Sequence, residues 1–262
     1  EAMTEIFLTT GGRVAAFEKA LGEYLGGVEV LGLNSATAGL HLAVLASGAG
    51  PGDEVITTPL TFVATANAIV YAGAKPVFVD VDPRTGNIAV DQVAAAITPR
   101  TKAVIGIHLY GQPFDVKAMR ALCDQHGLKL IEDAAHCVDG RRDGIRPGQV
   151  GDFAVFSFHA VKNLTSGEGG AITTHDPAIR ERLRTLSLHG QDKGAKARYA
   201  KTYQHWDMVE LGYKYNMTNL AAAMLLPQLA RVEAQREARD RLCRRYEEGF
   251  ASLDGIDFPQ VL

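Results

Sequence analysis

Between Val28 and Ile131, short β-branched apolar runs alternate with longer stretches of helical character. Val28–Leu33, Glu54–Thr57, Pro76–Asp80, Ala103–Ile107 and Leu128–Ile131 read as strands. Ala38–Ser47, Thr61–Ala72, Val90–Ile97 and Val116–His126 read as the helices between them. This rhythm predicts an α/β fold, a mainly parallel sheet with helices on both faces. Such sheets take ligands beyond the carboxyl ends of their strands. The chemistry is therefore sought at Asn34–Thr37, Pro59–Phe62, His108–Gly111, Asp133–His136 and Ser157–Lys162.

After Asp152 the rhythm changes. Phe153–Phe158 and Gly170–Thr174 read as strands joined by eleven residues, too few for a helical crossover, which predicts an antiparallel pair. Residues 189–208 are polar and aperiodic, the pattern of a mobile surface loop. A helical pattern runs from Thr218 to Leu253 with an interruption at Pro227, and Arg231–Arg245 carries Arg and Glu at i,i+4 spacing, a solvated face.

Composition changes this picture little. The 262 residues carry 27 Lys+Arg against 30 Asp+Glu, a net charge of −3, which argues against a nucleic-acid binder. No apolar run is long enough for a membrane span, and no basic-then-apolar leader opens the sequence. Cys123, Cys137 and Cys243 are far apart and odd in number. They form neither a disulfide framework nor a CxxC site, and a reducing cytoplasm is the expected setting.

The strand ends bring together a specific combination. Asp133 and His136 follow one strand, and Lys162 follows another, flanked by Ser157, His159 and the Gly-rich Ser166–Gly170. A lysine sheltered in an apolar site can lose its proton and form a Schiff base with an aldehyde cofactor. An aspartate opposite it can keep a pyridine nitrogen protonated, making pyridoxal 5′-phosphate (PLP) an electron sink. Ala36 and Thr37, at a helix start, offer donors to a phosphate, Ser157 adds another, and Phe62 offers a face to the ring. Singly, each has a plainer explanation: exposed lysine, helix-capping Asp or Ser, core Phe. Their joint order along one α/β chain favours the functional one. A metal site from His108, Asp133, His136 and His159 is the rival reading, but it leaves Lys162 without a task.

Thr57–Thr65, Gly73–Asp82, Ile97–Ala103, His108–Gly111, Ile131–His136, Phe156–Asn163 and Gly167–Gly170 carry a resemblance, collinear from Gly12 onward, to the DegT/DnrJ/StrS-type sugar aminotransferases. The resemblance implies the aspartate-aminotransferase fold, with a seven-stranded type of sheet, PLP as cofactor and a homodimer. It implies transfer of an amino group from glutamate, leaving 2-oxoglutarate, to a nucleotide-linked keto-sugar. The product would serve cell-surface polysaccharide, lipid A or glycan biosynthesis. By position, it makes Lys162 the Schiff-base lysine and proton shuttle, Asp133 the ring-nitrogen partner and His136 the neighbour of the ring hydroxyl. Ala36, Thr37 and Ser157 fall on phosphate positions, Phe62 on the stacking position, and His159 near the substrate. Gly212–Asn216 matches a loop that reaches the partner subunit's cofactor phosphate, through Lys214 or Asn216. No metal is implied.

His136 and the Ser-Phe-His-x-x-Lys pattern resemble the enzymes that aminate carbon 4 of the sugar, of the 4-amino-4-deoxy-L-arabinose type. A carbon-3 enzyme, or a PLP-binding relative without turnover, is the alternative. Ala36 where relatives carry Gly, and Asp139 where small residues are common, are departures. The resemblance divides the chain into a PLP-binding large domain, 1–227, and a connecting helix that opens a truncated C-terminal domain, 228–262.

Overall fold

A computed structural model describes residues 3, 8–192 and 205–261. Seven strands form one sheet: β1 (Glu29–Leu33), β2 (Glu54–Thr57), β3 (Lys75–Phe78), β4 (Thr101–Ile107), β5 (Lys129–Asp133), β6 (Phe153–Ser157) and β7 (Gly170–Thr174), in the order β1-β7-β6-β5-β4-β2-β3. The pairs from β3 through β6 are parallel, and β7 runs antiparallel to β6 and to β1. The short β6–β7 connection thus forms the expected antiparallel pair. Because β7 alone is reversed, its first residue, Gly170, lies at the same sheet edge as the carboxyl ends of the other strands.

The helices are α1 (Gly12–Tyr24), α2 (Ala36–Ala46), α3 (Ala64–Tyr71), α4 (Val90–Ala96), α5 (Val116–His126), α6 (Pro177–Ser187), α7 (Asn219–Leu229) and α8 (Val232–Phe250). Strand side chains alternate between two cores. Leu31, Leu33, Ile105, Ile131 and Val155 pack with α2, α3 and α6. On the other face Val30, Ala154 and Phe156 meet α1 and α7, while Ile56, Val104 and Leu130 meet α4 and α5. Helix α2 is apolar nearly all round, and Ala38 through Val44 are all buried, as a helix central to a layer must be. It packs close on the sheet because Gly39 presents no side chain to Val155.

Three helices depart from the sequence reading. Helices α1 and α6 were not legible as periodic runs, since each mixes charges into the buried side: Glu18 is 6% exposed and bonded to Arg180 and Arg184. Pro227 does not end its helix. It lies inside α7, and the break falls later, between Ala230 and Arg231. A proline removes one N–H and so leaves the carbonyl one turn earlier, that of Ala223, without its helical donor. Of the polar loop, residues 193–204 lie outside the described residues. Among the described residues no helix is long and apolar enough to cross a membrane.

Helix α8 is exposed along most of its length, with only Val232 buried, so side-chain bonds hold it. Glu233 accepts from Tyr24 Oη at 2.7 Å and Arg146 Nη2 at 2.8 Å, with Arg141 Nη2 at 2.5 Å and Arg236 Nε at 3.3 Å. Burial opposes its charge, but these donors outweigh burial and pull its pKa from 4.5 down to about 2. The unfolded chain therefore binds this proton first as pH falls. The stabilisation is full above pH 4.5 and drains away toward pH 2. Glu233→Gln is expected to cost about 1–2 kcal/mol at neutral pH, discounted for partial exposure. In urea titrations the gap between the two proteins should close as pH falls from 4.5 to 3; a gap constant across that range would contradict the assignment.

Candidate active site

The carboxyl ends of the strands open on a cleft of about 610 Å³. Ser35, Ala36, Thr37, Ser157, His159 and Lys162 line it with His136, the exposed Phe62 and Tyr110, and the buried Asp133. Eight sequence-predicted residues thus meet in one cavity: Ala36, Thr37, Phe62, Asp133, His136, Ser157, His159 and Lys162.

Ser35 caps α2, its hydroxyl accepting from Ala38 N at 3.1 Å. The first N–H groups of a helix have no partner within it, so those of Ala36 and Thr37 are open to an anion at the positive end of the helix dipole. This approach needs Gly170: a methyl there would come within 2.5 Å of Ala36 N. Gly170→Ala is expected to cost about 1–3 kcal/mol of stability and to weaken retention of inorganic phosphate. Calorimetry would check both, and a variant as stable as the parent with unchanged phosphate binding would contradict the close approach.

Asp133 ends β5 and is 5% exposed. Its Oδ2 accepts from Thr65 Oγ1 at 2.8 Å and its Oδ1 from Ala135 N at 3.2 Å. Thr65 is itself within 2.8 Å of Thr61 Oγ1. A hydroxyl chain from α3 and the segment before it therefore fixes the carboxylate, and Thr65 and Thr61 are site residues that the sequence reading passed over. The signal for Thr61 lay in its place within Pro59–Phe62 at a strand end, whereas Thr65, in the first turn of α3, had none.

Burial lowers the pKa of the Lys162 amine, with the Asp133 charge opposing it only in part. His136 is lowered as well, by burial first and then by the charge of Lys162. Its Nδ1 accepts from Tyr110 N at 3.4 Å, which leaves the proton of the neutral ring on Nε2. Tyr110 was not singled out from sequence. It is 85% exposed, stacks parallel to His136 at 5.8 Å, and holds a left-handed φ of 52°, a costly conformation for a residue with a Cβ.

Lys214 and Asn216 lie elsewhere. They bond to one another at 2.5 Å beside β1, where Asn34 Nδ2 donates to Lys214 O, and neither lines this chain's cleft. His108, needed for the rival metal reading, is also outside it. That ring is 1% exposed, stacked on Phe114, with Nε2 2.8 Å from Glu132.

The cleft suits PLP on three counts: helix-start donors for a phosphate, a buried carboxylate for a ring nitrogen, and an amine with lowered pKa in the same cavity. A fold of this kind with such a cleft defines the class, an α/β PLP-dependent aminotransferase. The sequence matches the DegT/DnrJ/EryC1/StrS aminotransferase family over residues 1–261, and the chain belongs to that family. Similar chains have been solved in PLP-form and with bound PMP, the pyridoxamine form of the cofactor. The chain is 44% identical over 262 residues to the spore coat polysaccharide biosynthesis protein SpsC of Bacillus subtilis, covering all of this chain and 67% of that protein. It is 42% identical over 254 residues to the GDP-perosamine synthase of Caulobacter vibrioides, covering 97% and 66%. The aminotransferase TlmJ from Streptoalloteichus hindustanus superposes with a TM-score of 0.90 at 37% identity, covering 98% of this chain and 68% of that one. The chain spans about two thirds of the length of the curated relatives it matches.

Proposed function

We propose that the chain carries the cofactor site of an enzyme that moves an amino group from glutamate to a nucleotide-linked keto-sugar, at carbon 4. The observation that carries the reading is the single cleft in which the Lys162 amine, its pKa lowered by burial, faces Asp133 near the open N–H groups of α2. PLP, when bound there, supplies an aldehyde for the amino group and a ring that withdraws electrons from the donor's α-carbon.

The protein's own groups do the rest. Ala36 N, Thr37 and Ser157 bind the phosphate. The Asp133 carboxylate, steadied by Thr65, holds a proton on the ring nitrogen. Lys162 Nζ, whose free-base form burial favours, takes the proton from the donor's α-carbon and returns one in the second half of the reaction. His136 offers Nε2–H toward the ring hydroxyl, and Phe62 covers the ring face. His159, at the cleft wall, faces the sugar.

Similarity to GDP-perosamine synthase supports a nucleotide-sugar substrate, and a role in surface polysaccharide synthesis is supported by likeness to SpsC. We also propose a homodimer, in which Lys214 or Asn216 reaches the partner's phosphate. That neither lines its own cleft supports this, as do the exposed Leu60, Val63, Val70, Tyr71 and Phe78 around α3 and β3. Residues 1–227 then form the PLP-binding domain and 228–262 the connecting helix and the start of a C-terminal domain, in a cytoplasmic enzyme.

The test is turnover of glutamate with UDP- and GDP-linked 4-keto and 3-keto sugars, read as 2-oxoglutarate release. Release with the 4-keto series supports the reading, and release with the 3-keto series moves the reaction to carbon 3. Tight PLP binding with no release from any donor–acceptor pair would overturn catalysis in favour of a binding protein.

A further inference from the structure

The reactive lysine lies on a turn that is held from outside the cleft. Phe158 N donates to Gly169 O at 2.8 Å, and Ser166 N donates to Phe158 O at 3.0 Å, closing the base of the turn. Leu164 is fully buried beneath it. On the outer side, Gln228 of α7 grips Thr165 by both backbone atoms, accepting from its N at 3.1 Å and donating to its O at 2.7 Å. A second grip sits next to the lysine itself. Asn163 Nδ2 donates to Asp139 Oδ1 at 2.8 Å, and Asp139 Oδ2 accepts from Arg239 Nη2 of α8. Asp139 is 4% exposed.

An ion pair with one partner buried is a poor source of stability, since desolvation of the Asp139 carboxylate offsets its attraction to the half-buried Arg239. An apolar residue at 139 would fill the space at less cost. The carboxylate does what an apolar residue cannot: it joins, through two directional bonds, three segments that lie far apart in the chain. One of those segments carries Lys162, and another is α8, itself pinned by Glu233 to Arg141 and Arg146. Paired with Arg239, Asp139 adds no net charge beside the cleft, where the groups facing Lys162 are Asp133 and His136.

We propose that Asp139 is a positioning residue for Lys162, holding the lysine turn through Asn163 and fastening that turn to α8 through Arg239. The role given to Lys162 rests on the function proposed above; the grip on its turn does not. The test therefore uses the cofactor-free chain. Asp139→Asn keeps the volume and drops the charge that holds Arg239. Arg239→Gln cuts the same link from a half-buried position on α8, and Arg241→Gln is the control on that helix.

Hydrogen exchange of the backbone amides at 160–165 is expected to speed up about tenfold in the first two variants and not in the control, with β5 and α2 unchanged. Competitive acylation across pH reads the midpoint of the Lys162 amine. It should rise by about half a unit as the loosened turn meets water, a roughly threefold fall in free base at a given pH below it. In Asp139→Asn, loss of a negative charge acting through space would move that midpoint down instead, so in that variant the sign separates positioning from simple electrostatics. Asp139→Asn combined with Asn163→Ala should do no more than either alone, because both cut one chain of contacts. Unchanged exchange at 160–165, equal acceleration across the sheet, or a lowered midpoint would each overturn the proposal. If the exchange result holds while no keto-sugar is aminated, the clamp stands and the proposed reaction fails.

Discussion

Lys162→Ala is expected to lower kcat for transamination by about 10⁴-fold or more, because one side chain supplies both the covalent anchor and the proton carrier. Lys162→Arg should be nearly as inactive. Arginine keeps the length and charge, but its guanidinium does not give up a proton, and the chemistry needs the free base. The fold should not suffer. Burial lowers the lysine's pKa in the folded chain, so the unfolded chain binds that proton more readily. Stability therefore rises with pH from the folded toward the unfolded pKa, and a neutral side chain removes a penalty present below that window. Lys162→Met should melt slightly higher than the parent at neutral pH while being inactive. Peptide mapping after reduction with borohydride should find added PLP on residue 162 of the parent alone. Activity within tenfold of the parent in any of these variants would refute the assignment.

The second large effect is at the buried carboxylate of the cleft. Asp133→Asn is expected to reduce kcat/KM by about 10³-fold, some 4 kcal/mol, since a neutral amide cannot hold a proton on a ring nitrogen. Thr65→Val leaves the carboxylate and removes only the 2.8 Å hydroxyl bond that aims it. A hydrogen bond to a charged group is worth about 1.5–3 kcal/mol, so a loss of roughly ten- to a hundredfold is expected, mostly in kcat. The graded order is the point of the comparison. If Thr65→Val were as damaging as Asp133→Asn, the threonine would have a task of its own beyond orientation; if Asp133→Asn were harmless, the ring-nitrogen role would fall.

Most of the architecture was legible because parallel strands buried on both faces must be apolar throughout. Glu54–Thr57 and Gly170–Thr174 were read to the residue, and the antiparallel β6–β7 pair followed from connection length alone. Helices α1 and α6 were not legible. Glu18, Arg180 and Arg184 break their apolar stripe, and only the fold shows that these charges satisfy one another. The late break after Pro227 was hidden for a similar reason, since the helix continues where packing of Leu225 and Leu229 favours it.

For the site, the sequence by itself determined the chemical inventory: which strand ends carry Asp133, His136, Ser157 and Lys162, and which helix start carries Ala36 and Thr37. Side-chain type and strand order settle these, because every strand but β7 delivers its last residues to one edge. What only the tertiary structure decided is how those groups are held. Thr65 behind Asp133, Tyr110 behind His136 and Asp139 behind Asn163 are contacts between residues 24 to 68 positions apart, and Arg239 reaches Asp139 across 100. No local pattern encodes such pairs. They exist because the sheet and its two helical layers bring distant segments within hydrogen-bond reach, and there geometry rather than residue type decides which group steadies which.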